Sequence, residues 1–443
     1  MVRYSFHSRQ HRISAFISRF ALLQAIALFL VFNGLTSMLH AQTMGTNVGQ
    51  VVDPSGVSTK GAHVTIAESQ TQTLAPTPPM GWSTWNHFRH NISDATVRAQ
   101  ADALVSTGMR DAGYVYVNID GGWEGYRDAA GVLHPNSNFP DMKALADYIH
   151  SRGLKFGLYT GPGPKTCAGA VASYGYEEQD AKMFAAWGVD YLKYDLCSFG
   201  EIMKQESGGN ELRSDAIMQA AYEKMHQDLL STGRPIVFSM CQYGLGKVWT
   251  WGAQVGGNLW RTTGDIGDTY GSMTSIGFQQ VGLSPYAGPG HWNDPDILEV
   301  GNGGMTTDEY RMHMSLWAIL AAPLIAGNDL IKMTPETVSI LMNKEVIAVD
   351  QDALGKQGDR AYATDGLEVW TKPLQGGAVA VGLFNRTSAP TSMTLRLADI
   401  GWQGRAAARN LWNHQDIGVL SQNYTVVVQR HGVVMLRISK LNQ

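Results

Sequence analysis

Metal-binding patterns are what this 443-residue chain most clearly lacks. Its three cysteines, Cys167, Cys197 and Cys241, do not have the spacing of a zinc ligand set. Its thirteen histidines form no HExxH or HxH pair. No metal and no cofactor are therefore expected. Charge is scarce too: Asp, Glu, Lys and Arg make up 16% of the residues, against roughly 25% in soluble domains. The formal net charge is -4 and no basic run follows the first forty residues. That argues against nucleic acid or an acidic membrane surface as a partner. Long apolar runs are also missing. FALLQAIALFLVF, from Phe20 to Phe32, falls short of the roughly 20 residues a membrane span needs. Glycine is plentiful, at 49 residues, which suits a scaffold of many tight turns.

The apolar run reads instead as the core of an export signal. Arg3, Arg9, Arg12 and Arg19 precede it, no acidic residue appears before Asp53, and LHA ends at Ala41 as a cleavage site. Residues 1–41 are assigned to that signal, so the mature chain is expected to be periplasmic or extracellular and free of the membrane. Export permits a disulfide. With three cysteines, one stays single unless it pairs between chains. Residues 42–73, rich in Gly, Ser, Thr, Val and Gln, read as a linker or weakly structured extension. Nothing in the sequence sets the oligomeric state, and a homo-oligomer is compatible with it.

From Leu74 onward short apolar runs alternate with helical patterns. The runs are PMGWSTW (79–85), VYVNID (115–120), LKFGLYT (154–160), VDYLKYD (189–195), PIVFSMC (235–241), NLWRTTGD (258–265), SPYAGPG (284–290) and PLIAGND (323–329). Ser93 is placed to cap one intervening helix, and Gly153 and Gly188 to stop two others. Eight strand–helix alternations over residues 74–354 predict an α/β fold, the (β/α)8 TIM barrel. A doubly wound sheet would want a glycine-rich phosphate turn after the first strand, and GWSTWNHF is not one. Over residues 355–443 the helical period vanishes. GLEVWTKPL, GAVAVGLFNR, TSMTLRL, AARNLWN and TVVVQRHGVVMLRI predict a C-terminal antiparallel β-sandwich domain.

The stretch GVDYLKYDLC puts Val189, Tyr191, Lys193 and Asp195 on one face at period two. Burying a lysine and a carboxylate is costly unless they are paired or used. Other runs also end in polar or aromatic residues: Trp85, Asp120, Tyr159 and Asp265. In a barrel these ends converge on one face, where active sites are built. A single acidic end is explained as a cap on the next helix. Three carboxylates with Lys193, Arg261 and two aromatics point to a site. Carboxylates on different strands without a metal suit acid/base and nucleophilic attack on an acetal, which is glycoside hydrolysis.

TPPMGWSTWNHF, KTCAG, WGVDYLKYDLC, WRTTGDI, GHWNDPDILEVGNGGMT, SLWAILAAPLIAGNDL and NKEVIAVDQDALGKQG resemble, in order, the sequence blocks of glycoside hydrolase family 27. That family holds α-galactosidases (melibiases) and α-N-acetylgalactosaminidases, and the resemblance runs from about Leu74 to Gly358. It implies a barrel followed by an antiparallel β-domain. It also implies a carbohydrate substrate, from which terminal α-linked D-galactose is removed with retention through a glycosyl-aspartate. Matched residue by residue, Asp195 is the nucleophile and Asp265 the general acid/base. Trp85, Asp120, Tyr159, Lys193 and Arg261 hold the sugar. Cys167 and Cys197 match a family disulfide beside the nucleophile, and Cys241 is left as a small buried apolar filler. On this reading Lys193 lowers the pKa of Asp195. Burial and the nearby Asp195 charge raise that of Asp265.

Two positions depart from the family. NIDGGW has Gly121 in place of a second acid that grips galactose around O4 and O6. Either Glu124 supplies the missing acceptor, or the sugar lacks the C6 arm, as a β-L-arabinopyranoside does. In MCQYG, Gln242 stands where the family's galactosidases often carry Glu. Its amide is expected to bond a 2-hydroxyl. The readings are thus an α-galactosidase, a β-L-arabinopyranosidase, or a barrel that binds glycans without turnover. Asn385–Arg386–Thr387 is a glycosylation sequon where the host glycosylates.

Overall fold

The computed structural model describes residues 73–441. The export signal of residues 1–41 and nearly all of the 42–73 extension lie outside the described residues. Eight short parallel strands build the first sheet: β1 (Met80–Ser83), β2 (Tyr116–Asn118), β3 (Lys155–Thr160), β4 (Tyr191–Asp195), β5 (Val237–Cys241), β6 (Leu259–Arg261), β7 (Trp292–Asp294) and β8 (Leu324–Ala326). They neighbour one another in chain order, and β8 pairs back onto β1. Leu298, just past β7, bridges Ala326 of β8 and completes the ring.

Helices cross between strands where the sequence marks their ends. Ser93, Asp141, Asn210 and Thr306 each accept a backbone N–H three residues on, satisfying a donor the first turn leaves free. Thr306 and Glu309 do so reciprocally. The helix Glu177–Trp187 stops at Gly188, whose φ of 92° suits glycine. The seventh strand is not where the apolar pattern put it. SPYAGPG contains two prolines, which lack the N–H a ladder needs, and Ser284–Tyr286 forms a 3₁₀ turn. The strand is Trp292–Asp294.

The C-terminal region is a sandwich. Its larger sheet runs in the order β9 (Asp359–Thr364), β10 (Leu367–Pro373), β11 (Val379–Asn385), β16 (Gly432–Ser439), β13 (Ala406–Asn410), β14 (Gln415–Leu420). β12 (Thr391–Arg396) and β15 (Asn423–Val428) form the second. Val369, Val381 and Leu383 of the first meet Met393, Leu395 and Val428 of the second. The sandwich also packs on the barrel. Phe278 sets its ring against Trp370 and Phe384 at 5.9 and 5.5 Å. Trp412 donates its indole N–H to Ser315 at 2.8 Å. Asn385 is fully buried, its amide bonded to the carbonyls of Ala389 and Val428. The sequon is therefore closed to glycosylation in the folded chain.

Candidate active site

β4 carries two kinds of side chain. Leu192 and Tyr194 point outward into the helix layer, Tyr194 against Tyr222 and Phe238 at 5.7 and 5.9 Å. Tyr191, Lys193 and Asp195 face a pocket at the C-terminal ends of the strands. Trp85, Asp120, Tyr159, Arg261 and Asp265 line the same pocket.

Asp195 is 5% exposed. Its Oδ1 accepts from the Tyr243 hydroxyl at 2.6 Å, and Oδ2 lies 3.4 Å from the Tyr159 hydroxyl. Burial pushes the Asp195 carboxyl above its ordinary value. The Lys193 charge and the Tyr243 bond oppose this without cancelling it. Lys193 acts in the expected direction but burial outweighs it, and the geometry shows why. Lys193 Nζ donates to Asp120 Oδ2 at 2.8 Å, leaving Asp195 without a direct cation. The other Asp120 oxygen accepts from the Gly121 N–H at 2.8 Å. Burial pulls the Lys193 ammonium down, but Asp120, Asp195 and Asp296 hold it well above its usual value.

The loops after β3 and β4 are joined by the Cys167–Cys197 disulfide, with Cα atoms 4.8 Å apart. Tyr159 lies 3.2 Å from Cys197 Sγ. Gly161 lets the β3 loop lie against the Asp195 backbone, since a Cβ there would fall 2.2 Å from the Asp195 carbonyl oxygen. Cys241 forms no disulfide and is fully buried, but its sulfur accepts from Arg261 at 3.6 Å, so it is not the purely apolar filler expected.

Asp265 departs from expectation. Its side chain is 69% exposed, because β6 ends at Arg261 and the next four residues leave the sheet. Its partner is Arg261, at 3.0 Å. Arg261 is almost fully buried and also reaches Asp296, at 3.1 Å.

Gln242 lies behind the pocket wall, with neither amide atom hydrogen-bonded among the described residues. It is fully buried and is not among the pocket-lining residues. Tyr243, on the same face as Ser239, lines the pocket, its backbone left-handed at φ 60°. Glu124 does not replace the missing acid either. It is buried, its Oε2 accepts from the Gly122 N–H at 2.8 Å, and burial pushes it up to about 7. The wall at Gly121 carries no side chain: a Cβ there would rest in ordinary contact with the Tyr159 ring at 3.4 Å and that of Trp85 at 3.8 Å.

Besides Tyr243, Asp294 and Asp296 line the pocket without having been singled out. Their signal was the block GHWNDPD. Asp296 has a φ of 88°, its Oδ2 accepts from the Ile266 N–H, and it grips Arg261. Burial pushes Asp294 up to about 6, against the pull of Arg261.

Fold and pocket together define a class, the barrel glycoside hydrolases. Within it, residues 77–352 match the family described as alpha galactosidase A, and residues 364–438 match the alpha galactosidase C-terminal beta sandwich domain. The chain belongs to this melibiase family, glycoside hydrolase family 27. It is 44% identical over 413 residues to an alpha-galactosidase of Cyamopsis tetragonoloba, covering 91% of this chain and 97% of that one. With alpha-galactosidase A of Cellvibrio japonicus the identity is 42% over 410 residues, covering 86% and 97%. The crystal structure of alpha-galactosidase I from Mortierella vinacea superposes with a TM-score of 0.77 at 35% identity, covering 84% and 100%.

Proposed function

We propose that this chain is an exported, retaining α-galactosidase that removes terminal α-linked D-galactose from oligo- or polysaccharides. Asp195 serves as nucleophile and Asp265 as acid/base. The observation that carries this reading is the setting of Asp195. It stands at a strand end, buried, with one oxygen held by Tyr243 and the other free of any short contact. Asp195 attacks the anomeric carbon while Asp265 protonates the departing oxygen. Asp265 then takes a proton from the water that opens the glycosyl-Asp195 ester. The 3.0 Å contact to Arg261 orients the Asp265 carboxyl beside the pocket. Lys193, Asp120, Trp85, Tyr159 and Arg261 present donors, acceptors and ring faces to the sugar. Export accords with the disulfide. No helix among the described residues is long and apolar enough to cross a membrane.

Nitrophenyl α-D-galactopyranoside should be hydrolysed with α-galactose as the first product seen by NMR. Asp195→Asn should lower kcat by about 10⁴-fold or more. Near-normal turnover in that variant, or β-galactose appearing first, would sink the assignment.

Gly121 supports a second reading, a β-L-arabinopyranosidase. The pocket wall there offers no acceptor for a C6 hydroxyl, and Glu124 is turned away. Comparing kcat/KM for nitrophenyl α-D-galactopyranoside and nitrophenyl β-L-arabinopyranoside decides between the two sugars.

A further inference from the structure

Most charges in the pocket are matched. Lys193 pairs with Asp120, and Arg261 with Asp265 and Asp296. Arg89 is different. It lines the pocket, and its guanidinium lies 5.5 Å over the Trp85 ring. Among the described residues its side chain has no ion pair and no hydrogen bond; only its backbone N–H is engaged, with the Trp85 carbonyl at 2.9 Å.

The groups around it do not neutralise it. Both oxygens of Asp120 are taken, by Lys193 and by the Gly121 N–H. Glu299 is 2% exposed and engaged by Asn86 and Asn302. His87 faces Asn302, and His90 stands edge-on to Trp85 at 5.2 Å. Neither imidazole brings negative charge.

The backbone adds a second, independent observation. Arg89 has φ 52° and ψ -121°, a conformation that glycine takes freely and a side-chain-bearing residue takes only under strain. Strain of this kind tends to persist at functional positions. The Arg89 side chain itself is exposed to solvent at the pocket mouth.

We propose that Arg89 forms an anion subsite at the pocket mouth, recognising a carboxylate or sulfate carried by the substrate. Resting on the galactosidase reading, this adds a charged substituent to the substrate class. A guanidinium presents two parallel N–H groups to such an anion, and the face of Trp85 helps to hold it in place.

Turnover of nitrophenyl α-D-galactopyranoside tests the underlying reading. Binding tests the subsite separately, by calorimetry on the non-hydrolysing Asp195→Asn protein. Two pairs are compared: D-galacturonate with D-galactose, and carboxyphenyl with nitrophenyl α-D-galactopyranoside. The anionic member of one pair should bind at least about tenfold more tightly than the neutral one. The pair that shows this tells whether the anion sits on the sugar ring or on the leaving group. The preference should shrink as salt is added. It should fall to near parity when Arg89→Gly is added, a change the backbone conformation accommodates, and partly survive with Arg89→Lys. Neutral members binding as tightly as anionic ones in both pairs would overturn the proposal. So would a preference that survives in the glycine variant.

Discussion

Two regions of this molecule bury a lysine beside an aspartate, and they use them differently. At the barrel mouth Lys193 lies directly on Asp120, at 2.8 Å, with a side chain 25% exposed toward the pocket. The surrounding carboxylates hold its pKa up. At the seam between barrel and sandwich, Lys372 of β10 is fully buried. It donates to the carbonyls of Ala318 and Asp350, at 3.3 and 3.0 Å, where two barrel helices end. Burial pulls Lys372 down to about 8, and pushes the Asp350 carboxyl up to about 8. One Asp350 oxygen has no partner. At the mouth, charge is held ready against carboxylates. At the seam, an ammonium caps the negative ends of two helices and fastens two domains. A buried lysine and aspartate therefore do not mark an active site by themselves. A strand end opening into a pocket is the added requirement.

The comparison breaks first at Lys193. Lys193→Met should lower kcat/KM by about 10² to 10³, because it removes a charged contact to the sugar and leaves Asp120 unpaired. The sign of the pH effect follows from the Lys193 charge, which lowers the pKa of Asp195. Without it that pKa rises further, less of Asp195 is ionised at a given acidic pH, and the acid limb of kcat/KM moves to higher pH. Rates from pH 3 to 8 check this. An unmoved acid limb would mean that Lys193 serves the sugar alone.

Much of the mouth was legible in the sequence, because period-two alternation in a strand says which residues share a face. That logic placed Lys193 and Asp195 together and set Tyr194 outside. It failed where the chain leaves regular geometry. Asp265 reads as a strand end, yet β6 stops four residues earlier and the side chain emerges into solvent. Tyr243 shares the pocket face with Ser239 at period two, a continuation past the strand end that the reading of MCQYG overlooked. Asp294 and Asp296 flank a proline in a strand of three residues, too short to show a pattern. Lys372 is buried by the docking of the sandwich on the barrel, which the alternation in GLEVWTKPL does not show.

Lys372→Met sharpens the contrast from the other side. Two helix-end carbonyls lose their donor, at about 2 kcal/mol of stability, seen as a fall of a few degrees in Tm. kcat/KM should stay within about twofold, since no part of this residue lines the pocket. Loss of activity without loss of Tm would erase the distinction between the two regions.

Asp350→Asn should have the smallest effect at pH 5, below about 1 kcal/mol, because the buried carboxyl is already neutral there. The difference then grows with pH. A carboxyl raised to about 8 in the folded chain binds its proton more tightly than in the unfolded chain, where the value is about 3.9. Its stabilising contribution is full below about pH 4 and is lost as the pH climbs to about 8. Lys372 works the other way and later. Lowered to about 8, it restores stability only between about pH 8 and 10. The wild-type Tm should therefore decline from pH 4 to 8 and recover between about pH 8 and 10, whereas in Asp350→Asn the decline is shallower and what remains comes from other raised carboxyls such as Glu124 and Asp294. Thermal melts across that range separate the cases. A wild-type Tm that is flat from pH 4 to 8 would mean that the Asp350 carboxyl is not held neutral at the seam.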